Sequence, residues 1–500
     1  MNRSKKLKIN VISSLILQLV VFASGMILPR LFLEFYGSKV NGLISSIQQF
    51  LGFITLGEFG IGAVIQYNLY KPLAENDWEN TSRIIASANK FFNKLLRCIL
   101  IYIAVLAILL PFKYLSDFGF LYTSSLVLSI SFSYIMQYYF GMTYRQLLDA
   151  NQLSFVRIVP QIIQMLINIA VCFLLIRSGV SVQAVKLTTS LLYSIQPLAI
   201  YIYAKKKYPY IDSKIKVTGE PIKQKWNGIA QHFAAMVLKD TDVVVLTLLS
   251  SLENVSIYSI YNMVIYGVET LVESVVGNFT AVFGELLAKK SYTSLQDYFK
   301  KFESIYHSVI TVIYFCIGRL IISFVKIYTK GINDADYYVP VFAIVLTLAH
   351  WAYCTRLPYH IVVKAAGHYK QTQASAVIEA SINVIISVAT VKLYGLVGVA
   401  IGTACAMIYR SIYYWFYLSR HILHRKIICV LKVYLSDALI VILSYAVNYG
   451  FKLSKITFSA WFILAVKVFA TTFVIAVLIY TLFNLKSVKK FLLQKRESKG

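Results

Sequence analysis

The chain is predicted to be an all-α polytopic membrane protein with fourteen transmembrane helices, on three observations. Fourteen apolar stretches, each close to the roughly 20 residues that a helix needs to cross the hydrocarbon core, fill most of its 500 residues. Lys and Arg are rich in alternate connections and poor in the others. No connection is long enough to house a soluble domain. Without water in the bilayer core the backbone must satisfy itself, so continuous apolar runs of this length read as helices, not as the strands of a barrel.

The first stretch, 9–33, follows Arg3, Lys5, Lys6 and Lys8. It runs beyond the length of a signal peptide, and Ala23-Ser24-Gly25 matches a cleavage site only loosely, so an uncleaved first helix is expected. Stretches 43–67, 95–112, 120–143, 155–176 and 182–204 complete a group of six. A basic segment with Pro209, Gly219 and Pro221 follows. Six more stretches come next, at 228–250, 257–278, 304–325, 341–361, 372–391 and 396–417. The last two are 428–448 and 460–482.

That spacing predicts two pseudo-equivalent six-helix lobes, 1–204 and 228–420, joined by a cytoplasmic linker at 205–227. Residues 421–500 would add helices 13 and 14 and a basic tail. A shift of 215 residues places Asn168 on Asn383, Arg177 on Lys392, Val182 on Val397 and Ala184-Val185 on Val399-Ala400. Gly179 misses Gly395 by one residue. Parallel repeats with a substrate site between them are a recurrent transporter plan.

The chain is 58% hydrophobic with mean hydropathy +0.66, yet its net charge is +27. With the N-terminus inside, the cytoplasmic segments hold 34 Lys and Arg and the outer segments 8. This is the positive-inside pattern, and it puts both termini in the cytoplasm. The basic balance is therefore read as topology and attraction to anionic membrane lipids, with no nucleic-acid partner.

Soluble-enzyme chemistry finds no support. There is no hydrolytic triad, Walker loop, dinucleotide fingerprint or HExxH, and no catalytic residue, metal site or cofactor is expected. Gly57, Gly60 and Gly62 lie within an apolar run, where small residues let helices approach. The six cysteines form no CxxC pair and read as small apolar side chains.

Charges inside the stretches are the informative residues, because each is costly unless it faces a cavity or a partner. The cationic candidates for a substrate path are Arg30, Lys239, Arg319 and Arg356. Glu58, Asp240, Asp242, Glu269 and Glu273 are acidic candidates for coupling or for the cavity wall. Glu269 and Glu273 are one turn apart and share a face, while Lys239 and Asp242 are near enough to pair with each other. Glu379 adds a further acid. Lys186, Arg410 and Lys467, nearer the ends of their stretches, are expected to snorkel to the interface. His232, His350 and His360 are expected in packing or hydrogen bonding. Tyr258, Tyr261 and Tyr266 read first as belt or core aromatics.

Several segments resemble a known family. Phe35-Tyr36-Gly37, Gly42-Leu43, Phe50-Leu51 and Leu56-Gly57-Glu58-Phe59-Gly60-Ile61-Gly62 are similar to the first two spans of bacterial polysaccharide flippases. Tyr70-Lys71-Pro72-Leu73-Ala74-Glu75-Asn76-Asp77 looks like the loop that follows in Gram-positive-type members. Thr241-Asp242, then Val255-Ser256-Ile257-Tyr258, resembles their seventh and eighth spans. Asn383, then Gly395-Leu396-Val397-Gly398-Val399-Ala400-Ile401-Gly402-Thr403, resembles their eleventh and twelfth. The ordered set covers about residues 10–420.

This resemblance implies a Wzx-type transporter within the multidrug/oligosaccharidyl-lipid/polysaccharide exporter superfamily, with a two-lobed, MATE-like fold in the bacterial plasma membrane. It implies transfer of undecaprenyl-diphosphate-linked oligosaccharide from the inner to the outer leaflet by alternating access, for capsule or exopolysaccharide. Partners implied are membrane lipids and the polymerase and chain-length proteins of that pathway. Such a protein is not an enzyme. The acidic Glu58, Asp242, Glu269 and Glu273 depart from a purely cationic cavity. Two rivals stand beside this reading: a cation-coupled drug exporter of the same superfamily, and a membrane polysaccharide polymerase. The first usually has twelve spans, and the second would carry a long outer loop or a catalytic domain.

Overall fold

The computed structural model describes residues 3–58, 61–212, 215, 229–289 and 291–483, and of these the side chains of 3–8, 11, 63, 229–236, 238 and 239 are not described. Every regular element among the described residues is helical. The chain divides into two compact units, Met1–Met236 and Val237–Gly500.

In the first unit, α1 (Arg3–Gly52) contains two helices in sequence, because Gly37 at φ 82 and ψ 175 turns the chain between them. Only glycine takes such a backbone readily. A tight helical turn, Phe53–Glu58, leads toward α2 (Ile61–Glu75). Asp77 caps α3 (Trp78–Lys113) by accepting from the Asn80 backbone, and α4 (Leu115–Phe118) is a single turn. Next come α5 (Phe120–Met136), a π-helical turn at Gln137–Gly141 and α6 (Met142–Ala150). After α7 (Phe155–Arg177), Gly179 at φ 72 reverses the chain into α8 (Val182–Tyr193), and α9 (Ile195–Lys207) follows. Helix α1 packs on α7, α3 on α5, and α5 on α8. Asn10 pins α1 to the α6–α7 turn: it donates to the Gln152 carbonyl and accepts from the Phe155 amide.

The second unit holds α10 (Ile229–Leu249), most of which lies beyond the division at Met236, then α11 (Leu252–Gly277), α12 (Phe279–Ala288) and α13 (Tyr292–Tyr328). These are followed by α14 (Pro340–Ala365), α15 (Tyr369–Tyr394), α16 (Leu396–His421), α17 (Ile428–Asn448) and α18 (Phe458–Phe483). Lipid tails are as apolar as leucine, so association here depends on close packing and polar contacts. Gly398 and Gly402 show the first. A Cβ at Gly402 would stand 2.8 Å from the Ser387 nitrogen, and one at Gly398 would stand 2.5 Å from the Thr390 carbonyl oxygen. The backbones of α15 and α16 are thus nearly in contact. Helices α17 and α18 pack on α13 through Val312, Ile440, Ala476 and Ile479 at one level and Leu320, Leu464 and Val468 at another.

Among the described residues the fourteen apolar stretches fall mostly on helix, the second of them running through the tight turn Phe53–Glu58. Ten helices among the described residues are long and apolar enough to cross a membrane as continuous elements. The difference has local causes. The tight turn Phe53–Glu58 divides the second stretch, the π-helical turn divides the fourth, and a break at Ser194 divides the sixth. Helix α10 carries Lys239, Asp240 and Asp242 within one crossing length.

Candidate functional site

One group of buried charges in the second unit is organised around a face of α14. His350, Tyr353 and Arg356 are spaced by three residues, so they share that face. His350 Nδ1 lies 2.5 Å from Glu269 Oε2, with both residues buried. The Tyr353 hydroxyl donates to Glu273, one turn along α11 from Glu269. Arg356 donates to Glu379 Oε1 on α15, and its guanidinium lies 4.5 Å from the centroid of the Tyr353 ring. Arg410 on α16 donates to the other Glu379 oxygen at 2.6 Å and to the Tyr414 hydroxyl at 3.1 Å. One carboxylate thus holds two guanidiniums, and three helices are tied at one point.

Asp242 forms a second centre. It is 2% exposed and accepts hydrogen bonds from Thr403 at 2.6 Å, Tyr258 at 2.9 Å and Asn383 at 3.2 Å. Asn383 also donates to Thr403 at 3.0 Å. Its own Oδ1 is buried without a hydrogen-bond partner. The Lys239 side chain lies outside the described residues, as does that of His232, so the expected Lys239–Asp242 pair has no geometry to report. Asp240 on the same helix is half-buried.

Arg319 serves the end of a helix. It donates to the carbonyl of Phe451, just beyond α17, at 2.6 Å and to that of Asn448, the last residue of α17, at 3.3 Å, where the Phe451 amide also donates. Arg30 lies 3.6 Å from Glu34 on the next turn of α1. Glu58, at the end of the tight turn before α2, accepts from the Tyr138 hydroxyl at 2.7 Å. The structure therefore gathers Arg356, Glu269 and Glu273 along α14 and places Arg30, Glu58 and Arg319 elsewhere.

Two expectations are corrected. Arg410 does not snorkel, because Glu379 holds it inside the unit with 12% of its side chain exposed. Lys186 does not reach the interface either. It is 8% exposed, with Nζ 3.9 Å from the centroid of the Phe32 ring. A desolvated cation over an aromatic face gains about 2 kcal/mol, less than the several kcal/mol lost on removing the ion from water. Among the described residues no carboxylate lies within ion-pairing distance of Lys186.

Other polar contacts had no signal in the sequence. Glu303 on α13 takes both arms of Arg425 at 2.6 and 2.5 Å and a hydroxyl donated by Tyr359 at 2.6 Å. His307 on α13 meets Asp437 on α17 at 2.8 Å, and both are fully buried. Their partners lie 122 and 130 residues apart in the chain, a separation that no local pattern bridges.

No family model and no curated protein matches the chain. Its fold does match solved structures. The lipid II flippase MurJ, in an inward closed conformation, superposes with a TM-score of 0.68 at 14% identity, over 96% of this chain and 99% of that one. A multidrug resistance MATE family transporter of the MOP superfamily, inward-facing, superposes with a TM-score of 0.57 at 12% identity, over 81% of this chain and 95% of that one. At these identities the likeness is one of architecture: this multi-pass membrane chain has the all-helical fold that MurJ and the MATE transporters share.

Proposed function

We propose that the protein is a flippase that carries an undecaprenyl-diphosphate-linked oligosaccharide from the inner to the outer leaflet of a bacterial plasma membrane, with both termini in the cytoplasm. The observation that carries this reading is the reciprocal extent of the fold match. The lipid flippase accounts for 96% of this chain and the drug transporter for 81%, although each is itself covered almost completely. Fourteen helical stretches favour the same choice, and the ordered sequence resemblance supplies the polysaccharide precursor as substrate. Surface polysaccharide synthesis, with its polymerase and chain-length partners, is the setting this reading supplies.

The diphosphate brings about two negative charges that must be met inside the membrane. Arg30 and Lys239 remain candidates for that contact. Arg319 and Arg356 are given a positioning role, because carbonyls of the α17 end hold the first and Glu379 the second. For a coupling cation, Asp242 is the strongest of the acidic candidates. Thr403 and Tyr258 set hydroxyl oxygens beside it, Asn383 turns its amide nitrogen toward it, and the buried Asn383 Oδ1 lacks a hydrogen-bond donor. A buried carboxylate among hydroxyls suits a proton or a hard cation that oxygen ligands hold. Glu58, Asp240, Glu269 and Glu273 would then shape the charge of the lobes.

The test is deletion of the gene followed by mass spectrometry of membrane lipids. Accumulation of one undecaprenyl-diphosphate oligosaccharide, with loss of its polymer from the surface, is expected. An unchanged lipid pool together with increased drug sensitivity would favour the exporter instead.

A further inference from the structure

We propose that Lys186 is an anion-binding group inside the first unit and that its ligand is a phosphate or diphosphate. The inference rests on the transport reading above and assigns a headgroup contact within it. Arg356 and Arg410 share Glu379, and Arg425 has Glu303. Lys186 is as buried as these, and among the described residues no carboxylate lies within ion-pairing distance of it. Its ammonium lies over the face of Phe32. An ionised group so placed is unfavourable until an opposite charge arrives, and a ligand anion supplies that charge.

The surroundings suit such a ligand. Thr189 and Tyr193 lie three and seven residues beyond Lys186, on the same face of α8. Across from them on α7, Cys172 lies 3.4 Å from the Thr189 hydroxyl, and Asn168 donates to the Tyr193 hydroxyl at 3.5 Å. These contacts form a strip of neutral hydrogen-bonding groups beside one cation, and among the described residues no carboxylate pairs with that cation. Lysine also suits a ligand that must leave again. It meets phosphate as a point charge with rotatable donors, whereas arginine clamps it in a fixed fork.

The experiment measures binding to the full-length protein by calorimetry in nanodiscs of phosphatidylcholine. One arm adds inorganic pyrophosphate; a second incorporates a polyprenyl diphosphate, and a third phosphatidylglycerol. Lys186→Met keeps the side-chain length and removes the charge, and Lys186→Arg keeps the charge. Binding in either diphosphate arm that Lys186→Met weakens at least about tenfold, the loss of one charge-assisted contact, and that Lys186→Arg largely retains, supports the site. If only the polyprenyl arm responds, the source is the lipid headgroup; if both respond, the phosphate chemistry alone suffices. Wild-type binding that Lys186→Met leaves intact overturns the site while leaving the transport reading standing. No wild-type binding in either diphosphate arm also overturns the site, and the transport reading is then judged separately by the lipid that accumulates on gene deletion. An equal response to phosphatidylglycerol, a singly charged phosphodiester, shows attraction to any anionic lipid and overturns the assignment to a terminal phosphate or diphosphate. Misfolding of Lys186→Met is monitored by monodispersity, and Lys186→Gln then replaces it under the same criteria.

Discussion

Replacing Glu379 by Gln turns the Arg356–Glu379–Arg410 cluster into two buried guanidiniums with no counter-charge between them. Arg356 and Glu379 are 6% and 3% exposed, and 12% of the Arg410 side chain is exposed. Each ion pair at about 4 Å is worth about 4 kcal/mol at an effective dielectric of 20, offset by desolvation that the intact cluster has already met. Removing one partner of a buried pair typically costs about 3–5 kcal/mol, and here two pairs lose the same partner. Arg410→Met should be far milder, about 1 kcal/mol, because the Arg356–Glu379 pair survives it. The combined Glu379→Gln, Arg410→Met protein should be more stable than Glu379→Gln alone, since it buries one unpaired guanidinium in place of two. Reversible unfolding in mixed micelles gives the three free energies, and membrane abundance gives an independent ranking. If Glu379→Gln costs less than about 1 kcal/mol, or if Arg410→Met worsens it, water reaches the guanidiniums and the burial argument fails.

Gly402→Val should destabilise the α15–α16 pair by about 3 kcal/mol or more, read as lost membrane abundance, because the backbone of Ser387 leaves no room for a branched side chain. Asp242→Asn keeps the size of the side chain, so abundance should hold while export of surface polysaccharide and its dependence on the driving cation are lost; unaltered export would remove Asp242 from the coupling role. Reporter fusions at Lys206 should face the cytoplasm and those at Lys330 and Lys455 the exterior; a cytoplasmic signal at Lys330 would mean that the ninth and tenth stretches were misjudged. Arg319→Met should loosen the end of α17 and speed proteolysis between Asn448 and Phe458, since the Phe451 carbonyl loses the guanidinium donor and the Asn448 carbonyl keeps only the Phe451 amide.

The sequence by itself determined what depends on local composition and period. An apolar run of crossing length is satisfied in a bilayer by the self-bonded helix, so the all-helical class followed from hydropathy alone. The turns between stretches have local causes that were not read from the sequence. Gly37, Gly179 and Gly395 turn the chain at φ 82, 72 and 52 where one stretch gives way to the next. The pairing of charge was decided by tertiary structure. Glu379 is an isolated acid in the sequence, and only the convergence of α14, α15 and α16 makes it the shared partner of Arg356 and Arg410. The shared face of Glu269 and Glu273 was legible, but their partners His350 and Tyr353 lie about 80 residues away. Lys186 and Arg410 were misread for one reason. Depth along a helix is visible in sequence, whereas the direction a side chain takes around it depends on which neighbours pack there. Arg410 turns toward a carboxylate and Lys186 toward an aromatic ring, and the low dielectric around them makes that difference the chemistry of the site.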